Sequence, residues 1–204
     1  MFESGSIIKS QWSPRLGVGT AMILFAIVLI FVVESFFGAL DNDPLLFRLG
    51  ALPNNGALHG QYWRLLSFGL LHKNTLHFVE NSICLLCLGL VVEKRIGPSR
   101  LLALFLIASV ASGLAILLKY HFIPPFGASV GASGGMFGIL GAALVLIRRV
   151  PPTKSLVRFG VWLILAGGIA VSFLPPGSLA GHAAGLIVGV PFGIFTKTRT
   201  VSWL

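Results

Sequence analysis

The sequence predicts an all-α membrane protein. It reads as a single domain over residues 1–204 in which six helices span the bilayer, with the N- and C-termini cytoplasmic. Three observations predict this. The chain is 55% hydrophobic and only 10% charged, whereas soluble domains carry about 25% charged residues. Its mean hydropathy is +0.92. Apolar stretches approaching the roughly 20 residues needed to cross hydrocarbon recur along it, and Lys and Arg gather in alternate connections between them.

The first span is read at about 17–39. It follows Lys9 and Arg15 and exceeds the roughly 7–15 apolar residues of a cleavable signal peptide. The second, about 74–92, is ended by Glu93-Lys94-Arg95, and the third covers about 101–119. The fourth, about 131–147, is ended by Arg148-Arg149. The fifth, about 159–174, stops at Pro175-Pro176, and the sixth, about 179–196, stops at Lys197. The long connection 40–73 is half apolar, with Leu45, Leu46, Phe47, Leu49 and Trp63, and is expected to be partly membrane-associated.

Cationic side chains fix the orientation, because Lys and Arg are retained on the cytoplasmic side. With the N-terminus inside, the inner segments hold 11 of the 15 Lys and Arg, and the outer ones hold Arg48, Arg64, Lys73 and Lys119. The same reading accounts for the net charge of +9 without nucleic acid, since no long basic run with interleaved aromatics occurs.

This orientation brings three polar groups to one depth. The second, fourth and sixth helices all begin outside, and their first turns carry His77 with Asn81, Ser133 in Gly131-Ala132-Ser133-Gly134, and His182. His77 and Asn81 are spaced i, i+4 and share a helix face. Most intramembrane serines are packing residues, but an ionisable histidine in a membrane is costly and usually functional. The glycines favour function. Gly134, Gly138 and Ala142 form a small-residue stripe on the fourth helix, as do Gly185, Gly189 and Gly193 on the sixth. Packing these stripes lets the two backbones approach closely. That carries Ser133 towards His182, the arrangement a nucleophile and its base require.

Helix N-termini add partial positive charge, which favours an oxyanion and a neutral, basic imidazole. No carboxylate presents itself as a third member, so the expectation is a Ser133–His182 dyad. Cys84 and Cys87 read as small buried hydrophobes rather than half a zinc site. No HExxH occurs, so no metal or other cofactor is expected.

At these residues the chain resembles the rhomboid family of intramembrane serine proteases, over about 62–193. Tyr62-Trp63-Arg64 is similar to the family's WR element. The run from His72 to Asn81 resembles its HxxxN pattern, and Gly89, Glu93, Gly97 and Arg100 resemble the close of that helix. Gly131 to Gly138 resembles GxSGxxxG, and His182-Ala183-Ala184-Gly185 with Gly189 resembles HxxGxxxG.

The resemblance implies a six-helix bundle in which Ser133 is the nucleophile and His182 the base. His77, Asn81 and the Ser133 backbone N–H would form the oxyanion hole. Trp63 and Arg64 would order the first loop, and Glu93 and Arg100 would anchor the cytoplasmic side. The substrates would be transmembrane proteins, cut in or beside their helices within the lipid bilayer. A bare six-helix chain resembles the bacterial form, which implies the inner membrane.

Two departures stand out. Phe137 replaces a frequent tyrosine and can stack on His182 without donating a hydrogen bond. Glu80 puts an acid where an apolar residue is usual. A lid over the site is expected at Leu174–Ala180, around Pro175-Pro176-Gly177. The competing reading is a rhomboid-like protein that binds transmembrane helices without cutting them.

Overall fold

The computed structural model describes residues 17–53, 57–123, 127–149, 155–173 and 178–196. These residues are helical apart from loops and an isolated bridge between Leu52 and Ser129. In chain order the helices are α1 (Val18–Phe36), α2 (Asp43–Leu49), α3 (Arg64–Ser67), α4 (Thr75–Ile96), α5 (Pro98–Phe122), α6 (Ser133–Leu146), α7 (Ser155–Ser172) and α8 (Leu179–Phe195).

Four helices, α1, α4, α5 and α7, are long and apolar enough to cross a bilayer. The fourth and sixth expected spans appear as α6, with 14 residues, and α8, with 17. At 1.5 Å per residue α6 covers about 21 Å, short of a hydrocarbon core of about 30 Å. Its surroundings explain the shortness. Every residue from Gly134 to Ala143 is buried, so α6 is solvated by protein rather than lipid.

Several boundaries differ from the sequence expectation, each for a local reason. The fourth helix begins at Ser133 rather than at 131, because Gly131 has φ +136°, a conformation foreign to a helix. The second runs to Ile96, past Glu93-Lys94-Arg95. It stops at Gly97, whose φ of +84° turns the chain so that Pro98 can open α5. Glu93 therefore does not mark a polar end. It is buried, and its carboxylate accepts the N–H groups of Gly19 and Thr20, both at 2.8 Å, and the Thr20 hydroxyl at 2.7 Å. An acid from α4 thus caps the start of α1, where Gly17 offers no side chain. Farther along the same pair, Phe31 stacks on Phe78 with centroids 4.0 Å apart.

The centre of the bundle is α6, packed between α5 and α8 and touching α4. Its contact with α8 is backbone on backbone. A methyl group added at Gly185 would overlap the Gly134 carbonyl oxygen, and one at Gly189 would overlap that of Gly138. One at Gly193 would lie 3.0 Å from Ala142 Cα. The two small-residue stripes are thus in register, pair by pair. On the opposite side, Gly134 meets Ser112 and Gly138 meets Ala108, both on α5.

The connection 40–73 is built rather than extended. Asn42 caps α2 by accepting the Leu45 N–H at 3.3 Å. Leu46, Ala51, Leu52, Phe68 and Leu71 are buried beneath it. Arg64 reaches back to the carbonyls of Phe47 (2.7 Å) and Ala51 (2.8 Å) while its guanidinium lies over the Trp63 ring. Glu34, at the end of α1, accepts the His72 N–H at 2.7 Å. An ion pair joins Lys73 to Asp43.

Because the α6–α8 approach admits no side chain, Gly189→Leu is expected to force the helices apart. Overpacking a close contact costs about 1–3 kcal/mol or more. Thermal unfolding in detergent should show a clearly lowered midpoint, whereas Gly160→Leu, at a position with open space around it, should leave the midpoint near that of wild type.

Candidate active site

Ser133 is the first residue of α6, and His182 lies in the first turn of α8. The α6–α8 register brings them together: His182 Nε2 is 2.8 Å from Ser133 Oγ. Ser178 caps α8 by accepting the Gly181 N–H at 3.3 Å, which sets the angle at which the histidine enters. The Phe137 ring, one turn below Ser133, stacks on the imidazole with centroids 4.2 Å apart and planes 3° apart. It is held from behind by Gly168, where an added methyl group would come within 2.8 Å of the ring.

The other imidazole nitrogen has a partner as well. Ser172, at the end of α7, places its hydroxyl 2.6 Å from His182 Nδ1. The expected dyad has no third member, and the structure places Ser172 where a carboxylate would stand. The available signal was weak: a serine on an apolar helix four residues after a glycine.

α4 contributes the opposite wall. Asn74 caps it, accepting the His77 N–H at 3.0 Å, and His77 and Asn81 follow on one face. His77 faces the loop before the serine; a methyl group on Gly131 would lie 2.6 Å from His77 Cε1. That loop is tied down twice, by the Gly131 N–H to the Phe68 carbonyl at 2.9 Å and by a hydrogen bond between Tyr120 and Ser129.

Ser133, His182, His77 and Asn81 all line one cavity of about 520 Å³. Its walls come from α4, α6 and α7, with the loop before α6, α5 and the start of α8 completing it. Two polar atoms in it are buried without a hydrogen-bond partner among the described residues, Asn81 Nδ2 and His77 Nδ1. Buried donors are rarely left unpaired. The start of α6 is also uncapped by a side chain, because Ala132 has no acceptor to offer, in contrast to α4 and α8. Leading N–H groups of a helix attract negative charge. Two unpaired nitrogens and an uncapped helix start thus share a cavity with a hydroxyl that is hydrogen-bonded to an imidazole.

The remaining expected residues divide. Gly131, Phe137, Gly134 and Gly185 belong to the site or lie against it, the last two as a close backbone contact between α6 and α8. Trp63 and Arg64 are away from the cavity, in the 40–73 connection that they help to fold. Glu80 is exposed and lines the cavity, so it faces the cleft rather than a partner inside the bundle. Cys84 also lines it, and Cys87 is exposed, on the outside of α4. Of the expected lid, Leu174 to Gly177 lie outside the described residues.

Residues 59–199 match the Rhomboid domain. The chain belongs to the rhomboid family. RHOMBOID-like protein 5 of Arabidopsis thaliana is 33% identical over 159 residues, covering 76% of this chain and 51% of that protein. Rhomboid protease GluP of Bacillus subtilis (strain 168) is 32% identical over 169 residues, covering 79% and 31%. Rhomboid protease GlpG of Enterobacter sp. (strain 638) is 28% identical over 182 residues, covering 86% and 62%. The chain thus spans between 31% and 62% of the length of these relatives. The rhomboid domain and the apolar helices identify an integral membrane protein.

Within this rhomboid domain Gly131 is the most constrained position of the site, by its φ of +136° and by His77. Gly131→Ala should lower thermal stability in detergent by about 1–3 kcal/mol, the scale of a strained backbone residue. A midpoint equal to wild type would show that the loop relaxes freely.

Proposed function

We propose that this rhomboid protein is an intramembrane serine endopeptidase that hydrolyses peptide bonds in or near the transmembrane helices of other membrane proteins. The observation that carries the reading is the 2.8 Å contact between Ser133 Oγ and His182 Nε2 at a cavity that also holds unpaired donors. Two relatives named as rhomboid proteases support the same activity.

His182 takes the proton of Ser133 as Oγ attacks the scissile carbonyl. The carbonyl oxygen becomes an oxyanion, held by the Ser133 N–H and by His77 and Asn81. The proton on Nε2 then passes to the leaving amine, and an acyl-enzyme ester on Ser133 remains. Water, activated by His182 in the same way, releases the acid and restores the serine. In a site with little water such donors act strongly, because nothing must reorganise as charge develops. Substrate must unwind locally, since a fully hydrogen-bonded helix shields its carbonyls.

All six apolar helices would cross or nearly cross the bilayer, with both termini cytoplasmic, as the Lys and Arg bias supports. The dyad would then lie near the outer face, in the inner membrane of a bacterium. A lid over the cavity would be formed by Leu174–Ala180, whose last residues, Leu179 and Ala180, open α8 just before His182.

Wild-type protein, Ser133→Ala and His182→Ala should be purified in detergent and incubated with a model transmembrane substrate. Cleavage by wild type alone is expected, and a serine-reactive phosphonate should label wild type but not Ser133→Ala. A wild type that neither cleaves nor is labelled, yet binds the substrate, would favour a non-catalytic helix-binding protein. Asn81→Ala should lose about 10²–10³ in kcat, the worth of one oxyanion donor, with KM changed little. A purely structural asparagine would instead lower the unfolding midpoint and spare the kcat of the folded fraction.

A further inference from the structure

We infer that Ser172 positions His182 and sets which of its ring nitrogens carries the proton, so that the reacting pair works as a chain of three side chains from three helices. This inference rests on the proposed peptidase reading for its consequence, but not for its geometry.

Ser172 Oγ has two neighbours, each at 2.6 Å: the Gly168 carbonyl oxygen and His182 Nδ1. A carbonyl oxygen can only accept, so a hydrogen bond to it must use the single hydroxyl proton of Ser172. The Ser172 oxygen is then left to accept, and the contact with His182 is made only if Nδ1 carries a hydrogen. A neutral imidazole protonated at Nδ1 is bare at Nε2. Nε2 is the atom 2.8 Å from Ser133 Oγ and must accept its proton. All donors in the series then point the same way. Ser133 donates to Nε2, Nδ1 donates to Ser172, and Ser172 donates to Gly168. In the other tautomer, a hydrogen on Nε2 would face Ser133, and Ser172 would have to give up Gly168 to donate to Nδ1.

A serine that bonds its own helix four residues back is ordinary in a membrane helix. That accounts for the Gly168 contact and not for the one to His182. The setting of Ser172 is also unusual on its helix. Among the described residues of α7 only Val161 and Ser172 are buried, and the rest of the helix is largely exposed and apolar. The one polar group that α7 buries is the one that meets the imidazole. Among the described residues no carboxylate bonds Nδ1, so a neutral hydroxyl holds the place that an acid holds in a Ser-His-Asp triad. During transfer Nδ1–H becomes part of an imidazolium, and the Ser172 lone pair stabilises it without introducing a buried charge.

The test uses the full chain in detergent, as wild type, Ser172→Ala and Ser172→Thr. The first readout is the ¹⁵N spectrum of His182, assigned by its loss in His182→Ala. Wild type should show a protonated Nδ1 and a bare Nε2, Ser172→Ala a mixture of tautomers, and Ser172→Thr the wild-type pattern. The second readout is cleavage of a model transmembrane substrate. Ser172→Ala should lose about tenfold in kcat with KM unchanged, because the imidazole loses its fixed tautomer, its orientation and the lone pair that stabilises the imidazolium, and Ser172→Thr should recover most of it. A wild type protonated at Nε2, or a Ser172→Ala spectrum equal to wild type, overturns the inference. So does a kcat loss shared equally by Ser172→Ala and Ser172→Thr, which would mark a packing role. If the tautomer result holds while wild type neither cleaves nor takes a serine-reactive phosphonate, the peptidase reading fails and the positioning of His182 by Ser172 stands. If wild type cleaves and Ser172→Ala cleaves equally, the reverse is true.

Discussion

The arrangement depends on one contact, the backbone approach of α6 to α8. In lipid the hydrophobic effect gives little drive for helices to associate, so packing and interhelical hydrogen bonds must supply it. Here the three pairs Gly185 with Gly134, Gly189 with Gly138, and Gly193 with Ala142 bring the helices closer than any side chain would allow. The register of that contact also determines chemistry. Ser133 and His182 begin the two helices, so a slip by one residue along either stripe would move the hydroxyl about 1.5 Å relative to the imidazole and rotate it away. Structure and reactivity are therefore set by the same small residues.

The second constraint is polarity in a medium without water. Buried polar groups need partners, and most of those in this bundle have them. Glu93 satisfies the start of α1, Glu34 the His72 N–H, and Arg64 the carbonyls of the outer loop. These acids and bases hold the scaffold. The cavity gathers two buried nitrogens without a partner, Asn81 Nδ2 and His77 Nδ1, beside the start of α6, which has no capping side chain. Polar groups left open beside a hydroxyl suit the anion that the proposed reaction would form.

The walls of the cavity are unequal. α4 is anchored by Phe78 on Phe31, by Glu93 on α1 and by its contact with α6. α7 buries two residues of its own, and its contacts with the centre are few: Val161, with Ile164 and Leu165, on the apolar core, Gly168 against Phe137, and Ser172 with His182. Local stability follows buried contact, so α7 is the wall most easily displaced. Its displacement would remove the group that orients the base.

The sequence by itself determined the solvent, most of the helices and the meeting of one hydroxyl with one imidazole. A low charge content and recurrent apolar stretches select a membrane bundle. The glycine spacing in 134–142 and 185–193 predicts which helices touch, and with it that Ser133 meets His182. Phe137 as a stacking partner was legible only through the family resemblance, at a position where a tyrosine is frequent, and the structure stacks it on His182. Other features were not legible, because they depend on which groups lie across a helix boundary. Glu93 and its two neighbours resembled a hydrophilic stop, and the structure makes the acid a buried cap of a helix 73 residues away. Gly131 fell within an expected helix, and its backbone conformation starts α6 two residues later. The shortness of α6 could not be read either, since an apolar run looks alike whether lipid or protein surrounds it. Ser172 is the clearest case. Periodicity records which residues are apolar along one helix, whereas a hydrogen bond to His182 Nδ1 requires that two helices end at the same height with facing sides. Only the packed structure decides that.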